Sequence, residues 1–201
     1  IGGYNYNNTG NITVNDPGSI LNINGDANHN LIIKNGVLNI TNGGTVTTAG
    51  GLRLGDYSNS SIITVSGEGS NLISAGSINA IYSPNAGITV QNQGVIKTSS
   101  LDLGCPLNIS TGGSVSVTGS TTIPTSAGYL GKIAFGSSPG TFTTNSLYAN
   151  PSQFTGTGTV NTNGLVSATD LVFDATHGLA QTLTWNNAGQ NITVNLDLTG
   201  S

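Results

Sequence analysis

The 201-residue chain has 4 basic and 8 acidic residues and a formal net charge of −4. It therefore lacks the clustered Lys and Arg that nucleic acid or an anionic membrane surface requires. Gly, Asn, Thr and Ser make up just over half of the chain, and no run of 18 apolar residues occurs. A helix-rich fold and a membrane-inserted segment are excluded on these grounds. Without an initiator Met or a signal-peptide pattern, we expect a mature form or a fragment.

Residues 1–9 precede the first recognisable element and are predicted to form an N-terminal arm or cap. From there an apolar–polar–apolar pattern recurs, usually with a Gly four residues later. The recurring pairs are Ile12/Val14, Leu38/Ile40, Ile63/Val65, Ile88/Val90, Leu107/Ile109, Ile133/Phe135, Gly158/Val160 and Leu183/Trp185. Counted on the second member, the steps are 26, 25, 25, 19, 26, 25 and 25 residues. Alternation indicates strands, and a fixed period of this size indicates a solenoid.

Most units contain a further short apolar run after the Gly, as at Leu52-Arg53-Leu54 and Leu101-Asp102-Leu103. Three short strands and three turns in about 25 residues describe one coil of a parallel β-helix. We therefore predict an all-β fold: a single right-handed parallel β-helix of about eight coils, forming one domain over residues 1–201. The 19-residue coil should have one shortened corner.

Two stretches interrupt the pattern and are predicted to be longer loops, residues 120–132 around Pro124 and residues 149–156. The bulky aromatic residues of this second half are expected to fill the interior rather than to form a sugar-binding platform. They are Phe135, Phe142, Phe154, Phe173 and Trp185.

The residue after each apolar pair is usually polar. These positions hold Asn15, Thr41, Ser66, Gln91, Ser110, Gly136, Asn161 and Asn186. In stacked coils they would form a polar ladder along one corner, with hydrogen bonds running parallel to the axis. We predict a structural role for this ladder.

The central units resemble the β-helical repeats in passenger regions of secreted bacterial autotransporters and of large adhesin-like surface proteins. The resemblance is carried by Ile62-Ile63-Thr64-Val65-Ser66-Gly67-Glu68-Gly69-Ser70, by Leu52-Arg53-Leu54-Gly55, and by Leu107-Asn108-Ile109-Ser110-Thr111-Gly112-Gly113-Ser114-Val115. It implies a β-helix and an extracellular or cell-surface location. These motifs specify a coil and not an activity.

Parallel β-helices also include polysaccharide lyases and hydrolases. Arg53 is the only Arg, and the Lys residues come from separate units, so the cationic cluster of a lyase is missing; the Lys residues are Lys34, Lys97 and Lys132. A glycoside hydrolase needs two neighbouring carboxylates. Asp170, Asp174 and Asp197, near His177, are the only candidates, either for catalysis or for Ca²⁺. Solvated carboxylates explain the same pattern, and we predict no enzyme and no cofactor.

Cys105 is the only Cys and is followed by Pro106, so it is expected to be a packed thiol, with an intermolecular disulfide or a reactive thiol as the alternative. His29 and His177 lie far apart, which leaves metal ligation unsupported.

An ice-binding face would need regular Thr-x-Thr rows across several coils. Thr45/Thr47, Thr141/Thr143 and Thr157/Thr159 do not form such a row at the repeat period, so no such face is expected.

These observations favour a non-catalytic secreted or cell-surface protein that acts as a structural or adhesive element, with a surface or matrix glycan or protein as partner. One alternative is a polysaccharide-degrading enzyme, and another is an extracellular filament or sheath formed by end-to-end stacking of copies. The edges predicted for that stacking are Asn11, Ile12, Thr13 and Val14 at one end, and Asn191, Ile192, Thr193, Val194, Asn195 and Leu196 at the other.

Overall fold

The computed structural model describes residues 10–24, 31–55, 60–81, 85–126, 128–186 and 188–200. The predicted arm over residues 1–9 and His29 lie outside these ranges. Apart from one turn of 3-10 helix at Pro151–Gln153, the secondary structure described is β. Most strands pair with a strand from the preceding or following coil, in parallel. The prediction of an all-β parallel β-helix is confirmed.

The strands follow one another along the chain at short intervals. In chain order they are β1 (Gly10–Asn15), β2 (Ile20–Ile23), β3 (Leu31–Ile33), β4 (Gly36–Thr41), β5 (Thr45–Thr48), β6 (Leu52–Leu54), β7 (Ile62–Ser66), β8 (Asn71–Ser74), β9 (Ile78–Asn79), β10 (Gly87–Gln91), β11 (Val95–Thr98), β12 (Leu101–Asp102), β13 (Pro106–Ile109), β14 (Ser114–Thr122), β15 (Lys132–Phe135), β16 (Thr141–Tyr148), β17 (Phe154–Val166), β18 (Ala180–Trp185) and β19 (Gln190–Asp197).

Three parallel ladders run along the axis, one for each side of the coil. The first joins β1, β4, β7, β10, β13, β15 and the start of β17. The second joins β2, β5, β8, β11 and then parts of β14, β16, β17 and β19. The third joins β3, β6, β9 and β12 to the later halves of β14, β16 and β17.

The interior is one continuous cluster of buried apolar side chains from Val14 to Val194. It forms because alternate strand residues point inwards and neighbouring coils stack in register. Val65 is typical: it is fully buried and lies between Ile40 of the preceding coil and Val90 of the following coil. A single coil could not bury these side chains, so the stacking itself provides the core.

Buried hydroxyl groups turn the corner between the second and third ladders. Thr48, Ser74, Thr98, Thr144 and Thr162 occupy equivalent inward positions on successive coils and are 2–3% exposed. Their hydroxyls donate to backbone carbonyls of the bend that follows; that of Thr98, for example, lies 2.8 Å from the Gly76 oxygen and 3.0 Å from the Ser100 oxygen. Carbonyls that would otherwise be buried without a partner are satisfied in this way.

Coil length varies mainly at the corner between the third ladder and the next first-ladder strand. The 19-residue coil has its short corner here, where only residues 103–105 separate β12 from β13. The two predicted loops occupy the same corner two coils further on, but both are shorter than predicted. β14 continues to Thr122, and residues 151–156 form the 3-10 helix and the start of β17.

The repeat assigned to the last two units is wrong. Ile133 pairs with Phe154 in the first ladder, whereas Val160 pairs with Phe142 in the second. Leu183 and Trp185 lie in β18, which is antiparallel to β19. The second ladder advances by 18 residues from Phe142 to Val160 and then by 34 to Val194. Two unequal coils of this kind have nearly the combined length of two regular ones, which explains the apparent period.

The recurring Gly of the first turn is required for space. A Cβ on Gly113 would lie 2.3 Å from the Val90 carbonyl oxygen, and Gly44 and Gly94 have the same close approach to the coil below. The left-handed positions of these turns fall on other residues, among them Asn42 and Thr111. The sequence argument from a permissive backbone was therefore wrong at these three glycines.

We expect Gly113→Ala to lower the free energy of unfolding by about 3 kcal/mol, because the added methyl group must push apart two coils fixed by their ladders. The matched control is Gly87→Ala in β10, where the added Cβ meets nothing within 4 Å and φ is not left-handed. This control should change stability by at most about 0.5 kcal/mol. Denaturant unfolding followed by circular dichroism compares the two. Equal stability of both variants would contradict the close-approach argument.

Candidate functional site

The structure does not bring the three candidate carboxylates together as a catalytic pair. The Asp174 carboxylate closes its own turn: one oxygen accepts from the Thr176 backbone N–H at 2.8 Å and lies 2.9 Å from His177 Nδ1. Asp197 likewise accepts from the backbone N–H and hydroxyl of Thr199. Asp170 is exposed in the segment before β18. Both hydrogen-bonded carboxylates therefore serve local turns.

The protonation of these carboxylates does not suit an acid catalyst. Hydrogen bonds from the Thr176 backbone and side chain, and then from His177, lower the pKa of Asp174 to about 2. The Thr199 hydroxyl and backbone N–H lower the pKa of Asp197. A glycosidase needs one carboxyl with a raised pKa to protonate the leaving oxygen. These shifts run in the opposite direction.

The Cys105 thiol is fully buried at the short corner of the 19-residue coil. Desolvation raises its pKa to about 12, so it stays protonated and out of reach of a second chain. Of the two interpretations of Cys105, the packed thiol fits this position. Within the described ranges, no group of three or more His, Cys, Asp or Glu is placed to hold a metal ion. None of the helices described there is long and apolar enough to cross a membrane.

The predicted polar ladder lies on the outer side of the first ladder over the early coils. Asn15, Thr41, Ser66 and Gln91 occupy successive positions in register, and Ser110 directly follows β13. The Thr41 hydroxyl donates to Asn15 Oδ1 at 2.7 Å. A neighbouring column contributes as well, since Asn92 Nδ2 donates to Ser66 Oγ at 3.0 Å.

Two members of the predicted ladder lie elsewhere. Asn161 is on the second ladder, between Thr143 and Asn195, and accepts a 2.8 Å hydrogen bond from Asn195. Asn186 is exposed after the antiparallel β18. Both were assigned through the incorrect repeat of the last two units.

The two predicted assembly edges differ in the structure. β1, with Asn11–Val14, pairs with β4, and no second partner is seen among the residues described. β19, with Asn191–Leu196, lies between β17 and β18 and is hydrogen-bonded on both sides. The C-terminal edge prediction therefore has to be corrected: β18, and not β19, is the outermost strand of the second ladder.

The corner that carries the two interrupting loops contains an open cavity of about 520 Å³. Tyr129 and Lys132 line it from one coil, and Asn150 and Gln153 from the next. A second cavity of about 460 Å³ adjoins it, lined by Tyr148 and by Ser167 of the following coil. Both are lined by Pro124, Thr125 and Asn150. We call this continuous depression along the axis the corner groove.

Hydrogen bonds between the two loops hold the corner groove in shape. The Gln153 side-chain nitrogen donates to the carbonyl oxygens of Ile123 at 3.2 Å and Pro124 at 2.9 Å. Its side-chain oxygen accepts from the Asn150 backbone N–H at 2.8 Å, which completes a capping box at the start of the 3-10 helix. The groove is thus built by contacts between adjacent coils.

The corner groove has the chemistry of a binding site. Each cavity lies within the size range of small-molecule sites, and each contains one tyrosine with an accessible polar group beside it. Tyr148 is 44% exposed, so its ring faces a potential ligand. The sequence argument found both loops but not the groove, because it could not show that they pack against each other. The tyrosines next to the two loop prolines were the available signal.

The chain matches no protein-family model, and comparison with curated proteins and with solved structures finds no significant similarity. The corner groove and the polar faces of the solenoid are therefore interpreted from their own chemistry.

Proposed function

We propose that this chain is a non-catalytic, secreted or cell-surface β-solenoid that acts as an adhesive element by holding a glycan in the corner groove. The observation that carries the proposal is the pair of adjoining cavities with Tyr129 in one and Tyr148 in the other. Aromatic faces with nearby amides and hydroxyls suit sugar rings, which have an apolar face and a polar rim. The resemblance to autotransporter and adhesin repeats supports the extracellular location.

The elongated groove favours a chain of sugars over a single ring, because the two cavities follow each other along the axis across three coils. Lys132 lines one cavity and would favour a uronic acid or sulfated residue at that end. The carboxylates Asp174 and Asp197 support binding without cleavage, because their hydrogen bonds are used within local turns.

We expect a labelled chain to bind a subset of an array of neutral and acidic polysaccharides, and the double variant Tyr129→Ala/Tyr148→Ala to lose this binding. Each truncation should cost about 1.5 kcal/mol, or about tenfold in affinity, because apolar contact area is lost. Phe173→Ala is the matched control, since Phe173 is 54% exposed and does not line the groove. Equal binding by the double variant would refute the assignment of the groove.

The same array separates binding from catalysis. An adhesive element should leave the polysaccharides intact after long incubation. Release of reducing or unsaturated ends, abolished by Asp174→Ala or Asp197→Ala, would establish the enzyme alternative in its place.

A further inference from the structure

A second surface, on the opposite part of the coil from the loops, is a regular array of short polar side chains. Five neighbouring strands each contribute two outward residues, two positions apart. We call this surface the hydroxyl–amide array; it consists of Ser114/Ser116, Thr141/Thr143, Thr159/Asn161, Thr193/Asn195 and Thr184/Thr182. Its rows were invisible at the repeat period, because the steps are 27, 18 and 34 residues and the last strand runs backwards.

The array is a two-dimensional grid. Strands lie roughly 4.8 Å apart, and alternate residues of one strand lie roughly 6.7 Å apart. The oxygen repeats on the surface of hexagonal ice are close to these two spacings. A neutral crystalline surface of hydrogen-bonding oxygens is therefore the partner that this grid fits.

The side chains of the array are held in place before any partner arrives. Asn195 Nδ2 donates to Asn161 Oδ1 at 2.8 Å, and Asn161 Nδ2 donates to Thr143 Oγ1 at 3.3 Å. The Thr182 hydroxyl donates to Asn195 Oδ1 at 3.4 Å. Thr is also stiff at χ1 because it is β-branched. Little conformational entropy remains to be lost when ordered water binds on top of the grid.

The composition of the array distinguishes it from the other polar face. Its ten residues are uncharged Thr, Ser and Asn, and the next position along one column is the charged Lys97. The face of the first ladder contains the longer Gln91 and the apolar Ile62, which is 42% exposed. Only the array combines short side chains, hydroxyls and methyl groups on every strand.

We propose that the hydroxyl–amide array binds the surface of ice crystals. The hydroxyls and amides anchor a layer of water at the spacing of the lattice, and the Thr methyl groups lie in the gaps of that layer. This proposal is independent of the glycan-binding function, since the array and the corner groove share no residue.

The test is the adsorption of the labelled chain to a growing ice crystal, together with thermal hysteresis. Adsorption above that of a non-binding protein is expected for the wild type and should fall to background in Thr141→Lys/Thr159→Lys. The matched control is Thr64→Lys/Thr89→Lys, a pair of half-buried outward Thr residues in register on the first ladder. This control should keep full adsorption. Circular dichroism verifies that each variant is folded.

Thr159→Val provides a milder variant that keeps the shape and the methyl group and removes one hydroxyl. It should weaken adsorption even if the double Lys variant does not fold. Background adsorption by the wild type, equal loss in the control pair, or wild-type adsorption by Thr159→Val would each overturn the proposal. So would binding to microcrystalline cellulose without binding to ice, because the partner would then be a crystalline polysaccharide.

Discussion

Val65→Asp should prevent the chain from folding at neutral pH or lower its free energy of unfolding by at least about 4 kcal/mol. Val65 is fully buried and contacts the ladder positions of both neighbouring coils, so an introduced carboxylate would have no water and no partner. The loss should be cooperative, because each coil supports the burial of the next. Thermal and denaturant unfolding followed by circular dichroism give the measurement.

The matched control is Thr64→Asp on the same strand, where the side chain points outwards and is half-buried. It should stay within about 0.5–1 kcal/mol of the wild type. The damage from Val65→Asp should also depend on pH. Burial raises the pKa of the introduced carboxyl in the folded state, so the penalty is smallest below its unfolded pKa of about 3.9 and grows as the pH rises. Parent-like melting of Val65→Asp at pH 7 would show that the interior register is incorrect.

Trp185→Ala should lower the free energy of unfolding by about 3–5 kcal/mol and open one end of the solenoid. The indole is 5% exposed, and its ring centroid lies 5.0 Å from that of Phe154, the last core residue of the first ladder. Trp185 also belongs to β18, which covers the outer edge of β19. Weakening β18 would expose unpaired N–H and C=O groups of β19, an edge of the kind that promotes association.

We therefore expect Trp185→Ala to form elongated particles at high concentration, seen by light scattering and electron microscopy, under conditions where the wild type associates less. Phe173→Ala, which truncates an exposed aromatic residue of the preceding segment, is the control and should affect neither stability nor association. If Trp185→Ala is destabilised but does not associate, the covering role of β18 is refuted while the packing role of Trp185 remains. The filament hypothesis would then have no support at this end of the chain.

The sequence by itself determined the fold class and the interior of the first six coils. Pairs such as Leu38/Ile40 and Ile88/Val90 could be aligned without a structure, because stacking in register forces inward apolar residues to recur at nearly constant spacing. The same constraint made the 19-residue coil recognisable. It also predicted the early part of the polar ladder, since the residue after each inward pair points outwards at the same corner.

Only the tertiary structure decided the last third of the chain. An 18-residue coil followed by a 34-residue one, with an antiparallel β18, keeps the core stacked without keeping the period. The corner groove depends on the Gln153 hydrogen bonds between coils, and the hydroxyl–amide array depends on strand pairings that the period conceals. Strand pairing fixes which side chains meet, and insertions at a corner change the spacing along the chain without changing that pairing. For this reason local pattern predicted the coil, whereas both candidate binding surfaces required the alignment of coils in space.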